Sequence, residues 1–390
     1  MTKGRILILL DNPFENDRRV YRQAASLAKA NYNVILIAVK KESLPEQEAM
    51  AGFDVHRIFN PDIFDIKQSS CFASYAGKIL DAFSFDIIHA HDQVMLHLAV
   101  QIKKRKTETV LVYDSHELFH AWPLNVSNYD SNWLMLKSWL VRKWQILREK
   151  RNAKHIDYLI TVNQSLADDL KQHFKIQNEI SVVRNVPEKA SVKEKTQILR
   201  QKFNIPAHKR ILVFIGANIY RHTLNLEQVM SEMQSDEYTA LVFICAFNHN
   251  SQPVMDYVAE KNFKNIHFHD LIKPTDIPFY LASADVGLVP TWNKKDLSYW
   301  YALDNKLFEY IQSGIPVLAT KQPEYKNIVE AHQCGICANP DREGDYVKSL
   351  HEIYQNYDFF KKNTAKAAVQ LVWEKEESIL INFYKKLIDG

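Results

Sequence analysis

The chain has 390 residues, 46% of them hydrophobic and 24% charged, with a formal net charge of +3. This is an ordinary globular composition, and the charge is too small to argue for nucleic acid as a partner. Only nine residues are glycine, and they are dispersed, which excludes the G-x-G-x-x-G dinucleotide loop, the P-loop and the G-x-S-x-G nucleophile elbow.

The elements alternate along the chain. Ile6–Leu10 reads as a short apolar strand, Arg18–Ala30 as a helix with Val20, Ala24, Leu27 and Ala28 on one face, and Val34–Val39 as a second strand. Further strands are expected at Asp86–His89, Val110–Tyr113 and Tyr158–Val162. Between Val186 and Lys209 the pattern weakens into a charged linker. It restarts with strands at Ile211–Ile215, Leu241–Ala246, Ile266–His269, Val286–Val289 and Pro316–Ala319, and a helix at Leu224–Met233. Strands that are continuous apolar runs, separated by helices, predict parallel sheets covered on both faces. The expected architecture is two facing, doubly wound α/β domains of the Rossmann type, 1–186 and 187–368. An amphipathic tail, 369–390, follows. Ligands in such folds bind at the carboxyl ends of the strands, so the cleft between the domains is the expected site. No apolar run approaches the roughly 18–20 residues of a membrane span, and Ile6–Leu10 is too short for a signal-peptide core. The expected location is the cytoplasm, which four cysteines also fit. Cys334 and Cys337 form C-x-x-C without a second ligand pair and are expected to be small strand residues.

Five stretches carry candidate chemistry. In Tyr299–Pro323, a loop with Asp304 and Asn305 leads into a helix from Lys306 to Ser313, stopped by Gly314. Lys306 in a first turn is poor for the helix dipole alone but useful beside an anion, and Glu309 one turn on suits sugar hydroxyls. An ordinary surface helix is the competing reading. Next, Phe214-Ile215-Gly216-Ala217-Asn218 followed by Arg221 is either a phosphate-clamping turn or a plain strand-to-helix turn. Tyr113-Asp114-Ser115-His116-Glu117 ends a strand, with His116 placed to touch a sugar or phosphate oxygen and Glu117 to act as base or to orient it. His89 and His91, at the end of the preceding strand, are expected on opposite faces, which argues against a shared metal. Asp17, ahead of Arg18 and Arg19, suits a helix N-cap, with acceptor recognition as the sharper alternative. Finally, the run from Trp133 to Arg151 has six Lys/Arg against one Glu with three interleaved tryptophans. It reads either as a helix packing its aromatic face on the domain or as one lying on an anionic membrane.

Together these stretches resemble the glycosyltransferases of family 4, the group 1 retaining transferases of the GT-B fold. DRRVYRQAASLAKANYNVILIA, FDIIHAHD, VYDSHELF, DYLITVNQSLADDL and VVRNVP are similar to the family's first-domain and hinge motifs. IPFYLASADVGLVP and YALDNKLFEYIQSGIPVLAT resemble its donor-site pattern. The resemblance implies that Trp373 and the following helix cross back to the first domain. It also implies that His116 contacts the donor sugar, that Glu309 binds the ribose, and that Arg221 and Lys306 hold the diphosphate. Gly216, Asn218, Asp304, Asn305, Tyr301 and Leu307 would line the donor site, with Leu271 and Ile272 by the base. Asp17, Arg18, Arg19, His91 and Glu117 would lie on the acceptor side. Tyr301 stands where the family has the first of its two glutamates, and the usual Gly-Arg after the first strand of the second domain is here Gly216-Ala217.

The implied function is retaining transfer from a nucleotide-diphosphate sugar to a hydroxyl of a glycan or lipid-linked acceptor in surface polysaccharide synthesis. It needs no metal or other cofactor, since positive protein groups offset the leaving diphosphate. The alternatives are a hydrolysing sugar-nucleotide 2-epimerase and a non-catalytic sugar-nucleotide-binding partner. Peripheral contact with an anionic membrane through 133–151 is expected to accompany the transferase reading.

Overall fold

A computed structural model describes the chain apart from residues 1–2, 16, 61–68, 123–131, 191–193, 218, 220–224 and 390. It divides into two compact units, Met1–Arg184 with Glu376–Gly390, and Asn185–Lys375.

The first unit holds an eight-stranded sheet. Its strands are β1 (Arg5–Leu9), β2 (Asn33–Val39), β3 (Gln47–Met50), β4 (Phe53–Phe59), β5 (Ile87–His91), β6 (Val110–Ser115), β7 (Tyr158–Thr161) and β8 (Ser181–Val182), in the order β3-β4-β2-β1-β5-β6-β7-β8. Every pairing is parallel except β3 with β4. Ile6, Leu7, Ile8 and Leu9 are all buried, as continuous apolar strands under helices on both faces must be. The order reverses between β1 and β5, the switch point of a doubly wound sheet. The β3–β4 hairpin escapes the sequence reading. Its two-residue turn puts Ala51 at φ 42° and Gly52 at φ 86°. The turn needs two left-handed residues, and alanine is an unusual first member, so the customary Asn-Gly signal is missing.

The second unit holds six parallel strands: β9 (Arg210–Ile215), β10 (Thr239–Ile244), β11 (Ile266–His269), β12 (Val286–Val289), β13 (Val317–Thr320) and β14 (Gly335–Ala338). Their order is β11-β10-β9-β12-β13-β14, with the reversal between β9 and β12. One buried cluster, including Leu212, Phe214, Leu241, Phe243 and Leu288, fills the sheet's helical cover. Cys334 immediately precedes β14 and Cys337 lies within it, and burial pushes the Cys334 thiol up to about 12 and Cys337 higher still, far from a reactive thiolate. Trp373 is buried, and its N–H donates to the Pro187 carbonyl at 2.8 Å. It begins a helix, Trp373–Asp389, that from Glu376 onward belongs to the first unit.

Candidate active site

At the carboxyl end of the first sheet, β5 and β6 run in register with His91 opposite Asp114. His89 and His91 do not face opposite ways. Residues two apart on a strand share a face, and the two imidazoles stack with centroids 4.4 Å apart. The expectation drawn from their spacing was wrong for that reason. The helix Arg18–Lys29 starts beside them, capped by Asp17, whose carboxylate accepts from Val20 N–H at 3.1 Å. That start delivers Arg19 inward. Its Nη2 donates to Asp114 Oδ1 at 2.8 Å and Oδ2 at 3.0 Å, its Nη1 to the Val183 carbonyl at 2.9 Å, and its Nε to His116 Nε2 at 3.0 Å.

The electrostatics follow from burial and these contacts. Burial alone would raise the Asp114 carboxyl, but Arg19 and His116 outweigh it and hold it well below the usual carboxylate range. Burial lowers both His89 and His91. It also lowers His116, but Asp92 and Asp114 pull the other way and the net shift is upward, with Arg19 opposing. Ligand atoms of His89, His91 and Asp114 lie within 4.8 Å of one another, close enough to gather round a cation. The Arg19 guanidinium competes for the same carboxylate oxygens and already neutralises them.

In the second unit the site is built on the helix Asn305–Gln312, which enters the switch point as a wedge. The Tyr310 hydroxyl accepts from Ile215 N–H at 3.0 Å and donates to the Leu288 carbonyl at 3.2 Å, so it bridges β9 and β12 where they part. The register of those strands ends at Gly287 opposite Val213. Gly314, at φ 74°, closes the helix with Ile315 N–H on the Tyr310 carbonyl and its own N–H on Ile311, a Schellman ending that needs a left-handed residue. Lys306 thus stands in the first turn above Phe214, with its Nζ 5.1 Å from the ring centroid and 3.2 Å from Asp304 Oδ2. Burial raises the Asp304 carboxyl, but Lys306, with hydroxyl donors from Thr291 and Tyr325 at 2.8 Å each, brings it below its ordinary value. The structure therefore supplies a cation at a helix N-terminus at the carboxyl edge of a parallel sheet, a chemistry suited to phosphate.

The expected site residues fall into two groups by unit. In the second, Gly216 follows β9, Lys306 and Glu309 share the wedge helix, and Tyr301 caps the short helix before it. Asp304 precedes the wedge helix and Asn305 begins it. Leu307 contributes a buried side chain, Leu271 an exposed one, and Ile272 one of intermediate exposure. In the first, His116, Arg19 and His91 meet in one network, but Arg19 and His91 are interior residues rather than acceptor-facing ones. Arg18 and Glu117 are exposed, and Asp17 is the cap. Arg19, His91, Asp92 and Asp114 all reach His116. Asn218 and Arg221 lie outside the described residues. The residues without an assigned role in the sequence reading are Asp92, Asp114 and Tyr310. The two aspartates stand within the quoted HAHD and YDSHE stretches, but only the pairing of β5 with β6 shows that they serve one histidine.

The helix Asn132–Asn152 carries the basic, aromatic stretch. Trp133, Leu136, Leu140, Trp144 and Leu147, at spacings of three or four, are all exposed, Trp133 to 66%. Its sole acidic residue between 133 and 151, Glu149, is buried and accepts from the Tyr113 hydroxyl at 2.9 Å. The packing reading fails for that stripe, since it faces outward. No helix among the described residues is long and apolar enough to cross a membrane.

Two doubly wound parallel-sheet units are the arrangement of the GT-B fold. The pattern of Glycosyltransferase Family 4 matches residues 17–186, and that of Glycosyl transferases group 1 matches residues 209–356. The chain belongs to this family of glycosyltransferases. Its fold is similar to that of sucrose-phosphate synthase from Thermosynechococcus elongatus, at 14% identity and a TM-score of 0.78 over 99% of both chains. It is also similar to a glycosyltransferase from Rickettsia africae, at 14% identity and 0.73 over the whole of both. The HepE protein of Anabaena in complex with UDP aligns at 13% identity and 0.72, over 99% of this chain and all of that one. A search of curated proteins finds no match.

Proposed function

We propose that this glycosyltransferase moves a sugar, with retention, from a nucleoside-diphosphate sugar to a hydroxyl of a glycan or lipid-linked acceptor in surface polysaccharide synthesis. The observation that carries the donor class is Lys306, held by Asp304 in the first turn of a helix wedged into the switch point of the second sheet. A leaving diphosphate gains charge as the sugar departs, and a fixed cation at the positive end of a helix dipole offsets it without a metal. A fold neighbour captured with UDP and with UDP-glucose supports the same class. The outward stripe of Trp133, Leu136, Leu140, Trp144 and Leu147, with the basic residues of 133–151, supports an acceptor presented at an anionic lipid surface and a peripheral membrane location.

The test is a thermal-shift screen with UDP-, GDP-, ADP- and CMP-sugars, followed by transfer to lipid-linked acceptor with the product anomer read by NMR. Stabilisation of about 2–3 kcal/mol is expected at 100 times the dissociation constant. Inverted product, or transfer only to a soluble sugar phosphate, would overturn the mechanism or the acceptor class respectively.

A further inference from the structure

The buried contacts behind His116 determine where its ring proton sits. A guanidinium has only donors, and Arg19 Nε stands 3.0 Å from His116 Nε2. Asp114 Oδ1 is farther from Nε2, at 3.4 Å, and His91 Nδ1 at 3.2 Å can serve as a second donor to Nε2, so the closest contact gives Nε2 a lone pair and sends the proton of a neutral ring to Nδ1. Arg19 has no alternative pose open to it. It is 4% exposed and bound at the same time to both oxygens of Asp114 and to the Val183 carbonyl. Asp114 is pinned in turn by Gln23 Nε2 at 2.9 Å.

The chain of contacts continues to the end of the sequence. His89 Nε2 lies 3.4 Å from Asp114 Oδ2, a long electrostatic contact, and His89 Nδ1 lies 2.5 Å from the Tyr384 hydroxyl. Burial keeps that hydroxyl protonated, so it donates to Nδ1 and leaves the His89 proton on Nε2, facing Asp114. Tyr384 sits on the helix Trp373–Asp389, in the part that belongs to the first unit. On the other side of His116, Nδ1 is 3.4 Å from Asp92 Oδ2, and the Asp92 side chain is more exposed than that of His116.

We propose that Arg19, Asp114 and Tyr384 are positioning residues that lock the neutral ring of His116 as the Nδ1–H tautomer, so that it meets a ligand as a hydrogen-bond donor and not as a base. The Nε2–H tautomer would set that N–H against the Arg19 Nε–H. The partner of His116 is then an oxygen acceptor, a sugar hydroxyl or phosphate oxygen. That part rests on the glycosyltransferase reading above, while the tautomer does not.

The experiment is a long-range 1H–15N correlation on the full chain labelled with 15N-histidine at about pH 9, since Asp92 and Asp114 shift the His116 titration upward, with His116 assigned by its loss in His116→Gln. The expected spectrum shows His116 protonated at Nδ1 alone and His89 at Nε2 alone. Arg19→Lys, which keeps the charge but not the Nε donor, is expected to release His116 into a tautomer mixture. Tyr384→Phe removes one hydroxyl from a helix that stays packed. It is expected to release His89 and, through Asp114, to loosen the His116 tautomer, and if Arg19→Lys does not fold, an unchanged spectrum of both rings in a folded Tyr384→Phe overturns the proposal. Wild-type His116 seen as imidazolium or as the Nε2–H form overturns the proposal, as does an unchanged spectrum in a folded Arg19→Lys. In kinetics, Arg19→Lys is expected to lower kcat about tenfold or more with the donor KM held within about twofold. A wild-type protein that transfers no sugar but shows the expected spectrum would remove the function and leave the positioning intact.

Discussion

The ring of Tyr310 occupies the space that a side chain at position 287 would need. A Cβ built on Gly287 falls 2.2 Å from the ring, and the same tyrosine's hydroxyl ties β9 to β12. Gly287→Ala therefore forces the wedge helix outward. We expect it to cost about 1–3 kcal/mol in denaturant unfolding and to weaken nucleotide-sugar binding. Tyr310→Phe keeps the ring but orphans Ile215 N–H and the Leu288 carbonyl, for a similar cost of about 1–3 kcal/mol. An alanine at 287 that unfolds at the wild-type midpoint would refute the close approach.

Lys306→Ala removes the cation from the helix start and leaves Asp304 with only its hydroxyl partners. Turnover is expected to fall more than about tenfold, since the charge is needed most as the diphosphate leaves. Steady-state kinetics with the donor found in the screen checks this, and wild-type kcat would remove the diphosphate assignment.

Asp92 holds a left-handed backbone, φ 59°, at the start of the helix Asp92–Lys103, while its Oδ1 accepts from His116 N–H at 3.3 Å. Such strain costs about 1 kcal/mol and persists where a side chain is needed. Asp92→Gly relieves it but loses the acidic group favoured at a helix N-terminus, worth about 0.3–1 kcal/mol, and the long bond from His116 N–H, worth about 0.5 kcal/mol. Gain and losses nearly cancel, so the melting temperature should barely move while kcat falls about tenfold or more through the loosened histidine. A large loss of Tm would make Asp92 a structural residue instead.

Glu149 predicts a pH dependence. Burial raises its carboxyl to about 7, against the Tyr113 hydrogen bond and the pull of His120 and Arg142, while in the unfolded chain it titrates near 4.5. The folded protein binds an extra proton between those values, so Glu149 makes stability fall as pH rises through the window. Glu149→Gln keeps the acceptor for Tyr113 and removes the titration. At pH near 8 the variant should be more stable than wild type by roughly 2–3 kcal/mol, the difference vanishing near pH 4. Asp11, likewise raised to about 7 by burial and Asp92, remains in both proteins and cancels in the comparison. Equal pH profiles in chemical unfolding would contradict the assignment.

Membrane contact through 133–151 predicts sedimentation with anionic phospholipid vesicles and not with neutral phosphatidylcholine. Replacing Lys137 and Lys143 by Glu should reduce that binding by at least about tenfold, at about 1 kcal/mol per charge. Equal, salt-insensitive binding to both vesicles would place the acceptor elsewhere.

The order and type of the elements were legible in the chain because continuous apolar runs such as Leu241–Ile244 and Val286–Val289 report burial on both faces, whatever their neighbours are. The Lys306 helix and its Gly314 stop were legible for the same local reason. The sequence by itself thus determined two parallel-sheet domains, the wedge helix and the histidine at the end of β6. Only the tertiary structure decided that Arg19 and His91 turn inward, that Asp92 and Asp114 serve His116, that Tyr384 closes the network from the other end of the chain, and that Tyr310 requires Gly287. Those relationships join residues far apart in sequence. They depend on strand register and on which side chain fills a given volume, and local periodicity carries no record of either.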